Sequence, residues 1–354
     1  MGDSRGRCTE GEWVMGWNAS RVATTRDAAA WTLVREPSPR EDDAVAARGL
    51  GSASPPALQD AEAFCRQIAS GHYENFSVIS WLVPRPLRQD FANVYAFARW
   101  SDDLADESPS PEAAAAALSA WREELEACAQ GAPRHPILVA LGATIRRHTL
   151  AVEPFHDLLD AFVQDQQVVR YESREQLIDY CRRSANPVGR IVLALGGCRD
   201  PQRQAESDAI CTGLQLVNFW QDLRRDRVAG RIYLPADDMR RHGVCETDLD
   251  APQARPALRH LLAEEVAWAE SCFEEGQPLA RLAPRSLRPA IAAFAGGGRA
   301  VAAAIRRAEY DTLSRRPVVS KATKLALAGR AVIGRLLADA FVGSAGRAAE
   351  AEQT

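Results

Sequence analysis

Two stretches of the chain carry aspartates four residues apart, each at the end of a stripe that reads as inward-facing. In YAFARWSDDLADE (Tyr95 to Glu107), Phe91, Tyr95, Ala98, Asp102 and Asp106 fall 4, 3, 4 and 4 residues apart, which places them on one helical face. The apolar half of that face runs directly into its acidic half. An i,i+4 pair of like charges costs a helix roughly 0.2–0.5 kcal/mol. Such a pair makes sense if a cation sits between the carboxylates, although a helix end frayed into solvent would carry the same acids. In QLVNFWQDLRRD (Gln215 to Asp226), Cys211, Gln215, Asn218, Asp222 and Asp226 repeat the spacing of 4, 3, 4 and 4. Ile210, Leu214, Val217 and Trp220 are left to pack that helix elsewhere.

Set across a cavity, the two Asp-x-x-x-Asp pairs offer four carboxylates to a hard cation. Mg²⁺ prefers oxygen ligands in octahedral geometry, keeps several waters and binds substrate phosphates. The chemistry that suits this arrangement is ionisation of a diphosphate ester, with the metal neutralising charge on the departing diphosphate. The carbocation left behind needs a dry pocket with few nucleophiles and with aromatic faces to stabilise it. An apolar helical bundle supplies such a pocket.

The elements that would hold these faces are helical almost throughout. The pattern predicts helices over residues 58–70, then one carrying the first acidic stretch, then 111–129, 136–149, 154–171, 173–196, 207–227, 255–277, 285–312 and 320–340. Asn186-Pro187 is expected to kink the sixth of them, because proline removes a backbone hydrogen bond. No alternating β-branched run is long enough for a sheet, so residues 58–345 are expected to form an all-α domain. Residues 1–57 hold Trp13, Trp17 and Trp31 among Gly, Ser, Arg and Asp and end in GLGSASPP, which reads as an irregular or disordered extension. Residues 346–354 read as a disordered tail.

Composition narrows the function classes. A net charge of −4 over 354 residues, with no basic tract interleaved with aromatics, gives no case for nucleic acid. The eight cysteines (Cys8, Cys65, Cys128, Cys181, Cys198, Cys211, Cys245 and Cys272) form no CxxC pair, which fits a reducing cytoplasm. The apolar stretch from Leu325 to Gly346 is interrupted by Arg330, Arg335 and Asp339, so no membrane span is expected. A secretory signal is not expected either. A cytoplasmic protein, peripheral at the inner face of the membrane, is the expectation, with Lys321, Lys324, Arg330 and Arg335 available to anionic lipid or simply to solvent.

SDDLADE, YCRRSANPVGR (Tyr180 to Arg190) and NFWQDLRRDRVAGRIYLP (Asn218 to Pro235) resemble the head-to-head prenyl synthases, the squalene and phytoene synthase family. The likeness runs from about Ala61 to Leu325. HYENF (His72 to Phe76), SANPVGR and NFWQDL together are most similar to the bacterial hydroxysqualene synthases of hopanoid biosynthesis. The resemblance implies a single helical bundle of the isoprenoid synthase type with a central apolar cavity. It further implies that Asp102, Asp106, Asp222 and Asp226, supported by Asp103, hold Mg²⁺ bridged to diphosphate. Tyr180, Gln215 and Asn218 would face the reacting centre. Arg99, His72, Asn75, Gln221 and Arg231 would line the substrate site, with Tyr310 and Arg315 as a looser match to a C-terminal diphosphate-contacting pair.

Each residue also has a plainer reading. Tyr180 would serve equally as a core tyrosine, Arg99 as a partner of Asp102 or Asp103, and Gln215 and Asn218 as ties between helices. Arg224, Arg225 and Arg227 read as a solvated basic cluster, and Gly296-Gly297-Gly298 as a place of close helix packing. The chain departs from the carotenoid-type pattern at Glu74-Asn75, where Lys-Ser is usual, and at Gln221, where arginine is usual. The loss of two cations argues for a substrate with one diphosphate. The expected reaction is therefore conversion of presqualene diphosphate and water to hydroxysqualene, with handover to neighbouring enzymes of the squalene pathway. Joining two farnesyl diphosphates is the alternative, followed by squalene or phytoene synthesis and, in another class, a non-catalytic helical assembly factor.

Overall fold

A computed structural model describes residues 55–71, 82–320, 322–323, 326–327 and 329. Two of the expectations above fall outside them: most of the N-terminal extension and the C-terminal tail. The described chain is helical, and its only β pairing is an isolated bridge between Arg170 and Ile232. In order, the helices are α1 (Leu58–Gly71), α2 (Arg88–Asp106), α3 (Pro111–Ala129), α4 (Pro136–His148), α5 (Glu153–Asp165), α6 (Arg174–Ser184), α7 (Asn186–Leu195), α8 (Pro201–Val228), α9 (Ala236–Arg241), α10 (Pro256–Glu275), α11 (Leu279–Leu282) and α12 (Arg288–Arg307).

Local chemistry sets the boundaries. Ser110, Ser173 and Asp200 each accept a backbone N–H with the side chain at a helix start, and Pro111 and Pro201 follow at N1. Several boundaries differ from the periodicity: the helix expected from 207 starts at Pro201, and the one expected to run to 312 ends at Arg307. The helix expected over 154–171 ends at Asp165. The stretch expected to kink at Asn186-Pro187 is two separate helices, α6 and α7, because proline takes the first turn of a new helix instead of the interior of a long one.

Two apolar cores flank the acidic stretches. One gathers residues of α1 to α5 and α7, including Phe97, Trp121 and Phe155; the other gathers α6, α8, α10 and α12, including Phe219, Trp220 and Phe273. Helix α2 is pinned at both ends. Near its start, buried Asp90 takes Arg147 Nη1 at 2.6 Å and His148 Nε2 at 2.9 Å from α4. Immediately before the acids, Ser101 Oγ accepts from Trp121 Nε1 at 3.0 Å. Helix α8 is buried on most of its circumference, and Trp220 Nε1 donates to Glu265 O of α10 at 3.1 Å.

Glycines let α8, α10 and α12 approach. A Cβ on Gly298 would overlap the Phe273 ring and stand 2.8 Å from Leu214 Cδ2. Gly298→Leu should therefore lower the urea midpoint of unfolding, by about 1–3 kcal/mol of stability. A substitution at Gly131, whose surroundings are open but whose φ is +87°, should act only through backbone strain.

Candidate functional site

Helix periodicity brings Asp102, Asp103 and Asp106 to the last turns of α2, and Gln215, Asn218, Asp222 and Asp226 to the inner face of α8. Arg99, one turn before Asp102, bonds Asp102 Oδ2 at 3.2 Å and pairs with Asp103. Burial, reinforced by the neighbouring Asp106 carboxylate and opposed by Arg99, pushes Asp102 up to about 7. Asp103 is raised as well, again chiefly by burial. On α8, burial and the Asp222 charge hold Asp226 well above the usual carboxylate range. Asp226 Oδ2 and Asn218 Nδ2 are buried without a hydrogen-bond partner. Gln215 is buried on the same face.

A buried acid that the motifs missed acts on Asp102 and Tyr180. Asp165, the last residue of α5, is buried and accepts from the Tyr180 hydroxyl at 3.0 Å. The same carboxylate adds to the charge felt by Asp102, Tyr171, Tyr233 and Arg231, while Tyr233 and Arg231 also feel Asp226. One electrostatic neighbourhood thus joins the end of α2 to α8. No sequence signal marked Asp165, because the periodicity carries this helix on to 171 and leaves the acid in its interior. Tyr180 is buried with its hydroxyl held by this carboxylate, and both burial and the Asp165 charge raise it well above the ordinary tyrosine value. Its ring belongs to an aromatic group. Phe219 stacks on Tyr233 at 3.8 Å between centroids, and Tyr171 lies 5.5 Å from Tyr180.

The remaining candidates divide. Arg231 is buried, donates to the Asp165 backbone carbonyl at 3.4 Å and hydrogen-bonds Tyr233. Gln221 is buried beside Asp222. Tyr310 hydrogen-bonds Arg306, which pairs with Glu270 away from the aspartates. Arg315 is exposed; it is the next residue, Arg316, that grips Asp222, with Nε to Oδ1 at 2.6 Å and Nη2 to Oδ2 at 3.1 Å. His72, Glu74 and Asn75 lie outside the described residues. The basic cluster is not simply solvated. Arg224 bonds the carbonyls of Leu313 and Ala251, and Arg227 pairs with Asp250 and Glu246, so both tie the loop after α9 to α8.

Among the described residues no three of His, Cys, Asp and Glu converge tightly enough to hold a metal ion in this conformation. The donor set nonetheless fits a hard cation. It consists of carboxylate oxygens, several of them buried, with mutual repulsion that Arg99, Arg231 and Arg316 only partly offset. A bundle of helices around paired carboxylates and an aromatic-lined interior defines the isoprenoid synthase class of fold. The family model for squalene/phytoene synthase matches residues 69–323, and the chain belongs to that family. It is 34% identical over 277 residues to the hydroxysqualene synthase of Zymomonas mobilis, covering 75% of this chain and 90% of that relative. It is 30% identical over 282 residues to the phytoene synthase of Arthrospira platensis, with coverage of 75% and 90%. The solved squalene synthase HpnC from Alicyclobacillus acidocaldarius superposes with a TM-score of 0.69 at 43% identity, covering 72% of this chain and 95% of that one.

The raised Asp102 gives a pH test. In the folded chain it keeps a proton up to about pH 7, whereas unfolded it releases one near 3.8. The folded state therefore binds more protons across that window, and stability should fall as pH rises through it. In EDTA, the denaturation midpoint should decline from pH 5 to pH 8, and Asp102→Asn should flatten the decline.

Proposed function

We propose that this chain ionises presqualene diphosphate with Mg²⁺ and directs water to the rearranged cation, giving hydroxysqualene and diphosphate. The bond from carbon to the diphosphate oxygen breaks heterolytically, and diphosphate leaves with the electron pair. The cyclopropylcarbinyl cation rearranges with ring opening; water then forms the new C–O bond and loses a proton. When bound, Mg²⁺ neutralises charge growing on the leaving group. Asp102, Asp106, Asp222 and Asp226 would hold it, supported by Asp103, and Arg99 and Arg231 would face the diphosphate. Tyr180, Tyr233 and Phe219 offer aromatic faces to the cation in a water-poor interior. Asp165 holds the Tyr180 hydroxyl in place.

The observation that favours water capture is a buried polar pair between α7 and α8. Asn186, which replaces a small residue of the wider family, is buried and accepts from Thr212 Oγ1 at 3.0 Å. Thr212 lies one turn from Gln215 on α8, and the bond leaves the Asn186 amide hydrogens to orient a water. The similarity to the Zymomonas mobilis hydroxysqualene synthase supports the same reading. The argument from lost cations is weaker than the sequence implied, because Arg316 places a guanidinium beside Gln221. Condensation of two farnesyl diphosphates is therefore the second reading, favoured by the similarity to a phytoene synthase. A non-catalytic role is disfavoured by four aspartates kept on inner faces.

No helix among the described residues is long and apolar enough to cross a membrane. The proposed lipid-facing Lys321, Lys324, Arg330 and Arg335 lie outside the described residues. An apolar substrate and product would suit contact with a membrane surface and handover to neighbouring enzymes.

Purified protein offered presqualene diphosphate with Mg²⁺ should yield hydroxysqualene, identified by mass spectrometry. Turnover of farnesyl diphosphate but not presqualene diphosphate would sink the first reading. Asp222→Ala should lower kcat/KM at least about a thousandfold with unchanged far-ultraviolet circular dichroism. Asn186→Ala should lower the share of alcohol among the products more than it lowers substrate consumption.

A further inference from the structure

Gln221 occupies a place where relatives of the carotenoid type carry arginine, and its two polar atoms are both engaged by the segment that follows α12. Its Nε2 donates to Pro317 O at 2.6 Å, and its Oε1 accepts from Arg316 Nη2 at 3.0 Å. An amide is the side chain that can donate to a carbonyl and accept from a guanidinium at once; glutamate cannot donate, and arginine cannot accept. The result is that Arg316 sits on Asp222 with two charge-assisted bonds of 2.6 and 3.1 Å. Gln221 and Asp222 are both at least nine-tenths buried, at 2% and 3% exposure. A bidentate pair so placed is the strong kind.

Polar contacts hold the segment at two places, and Val319 beyond them is buried in the core that includes Phe219 and Phe273. Upstream, Asp311 accepts from Ala254 N at 2.9 Å and Ser314 N at 3.1 Å, and Arg224 reaches Leu313 O at 3.2 Å. None of these contacts involves the acidic pairs. Downstream, residues 316–317 reach α8 through Gln221 and Asp222. Only the second anchor uses a carboxylate that the proposed reaction assigns to the cation.

We propose that Gln221 is a positioning residue that seats Arg316 on Asp222 as an internal counter-ion, so that a divalent cation binds by displacing Arg316 and releasing residues 315–319 from α8. The inference rests on the proposed function for the role of Asp222. In its terms, metal loading and the position of the C-terminal segment are one equilibrium: each shifts the other by the same factor. The exchange is local, since the upstream anchor at Asp311 stays in place.

The test is calorimetric titration of Mg²⁺ alone into metal-stripped full-length protein. Arg316→Gln should bind Mg²⁺ about tenfold more tightly than the parent, the scale of one charge-assisted contact, and Arg316→Lys should fall between. Gln221→Met should move in the same direction by a smaller factor, because Arg316 keeps its contact with Asp222. Arg225, exposed and 3.5 Å from Asp222, controls for general loss of positive charge, and Arg225→Gln should change little. Hydrogen exchange at residues 315–319 should quicken on adding Mg²⁺ to the parent and should be fast already in Arg316→Gln. Unchanged Mg²⁺ affinity in Arg316→Gln, or an equal effect of Arg225→Gln, overturns the inference while leaving the proposed function standing. Failure of the parent to bind Mg²⁺ with inorganic diphosphate present overturns both.

Discussion

The structure depends on keeping like-charged carboxylates together inside a helical bundle. Asp102 and Asp106 share a face of α2, Asp222 and Asp226 share a face of α8, and Asp165 at the end of α5 adds its charge to that felt by Asp102. Burial alone disfavours the charged forms, and each neighbour adds repulsion. Guanidinium groups offset part of this from three directions: Arg99 from the same helix, Arg231 from the loop after α8, and Arg316 from the C-terminal segment. The compensation is incomplete, as the raised Asp102 and Asp226 show. A cation-binding site has this electrostatic form, because full neutralisation by arginine would leave little reason for metal to enter.

The scaffolding follows from that constraint. A repelling pair can be held only on a rigid element, and α2 and α8 are fixed by contacts outside the site: Asp90 and Ser101 for α2, Trp220 and the close glycine packing for α8. The core that includes Phe97 and Trp121 packs α2, and the core that includes Phe219 and Trp220 packs α8. Aromatic rings from α6, α8 and the loop after it pack on one another, an apolar cluster whose faces attract positive charge. The Asn186–Thr212 pair adds a buried polar bond between α7 and α8.

Much of this was legible in advance. The all-α class and the sharing of one helical face by each aspartate pair follow from spacing, because a residue's face on a helix is fixed by 3.6 residues per turn. The early end of α5 and the start of α8 at Pro201 were not legible. Arg224 and Arg227 read as a solvated cluster, yet they bind carbonyls and acids that arrive from the chain beyond α9. Arg315 was chosen over Arg316 because adjacent arginines cannot be told apart without knowing which way an irregular segment turns.

What the sequence determined by itself was periodic and local: which residues are helical, which share a face, and which motifs place the chain in its family. Tertiary structure alone decided the partners of those faces. Asp222 meets a guanidinium 94 residues away, and Tyr180 meets a carboxylate from the preceding helix across an intervening loop. Such pairs are set by how helices pack and by where loops return, and neither leaves a repeat in the sequence. The charge balance around the aspartates belongs to that second category.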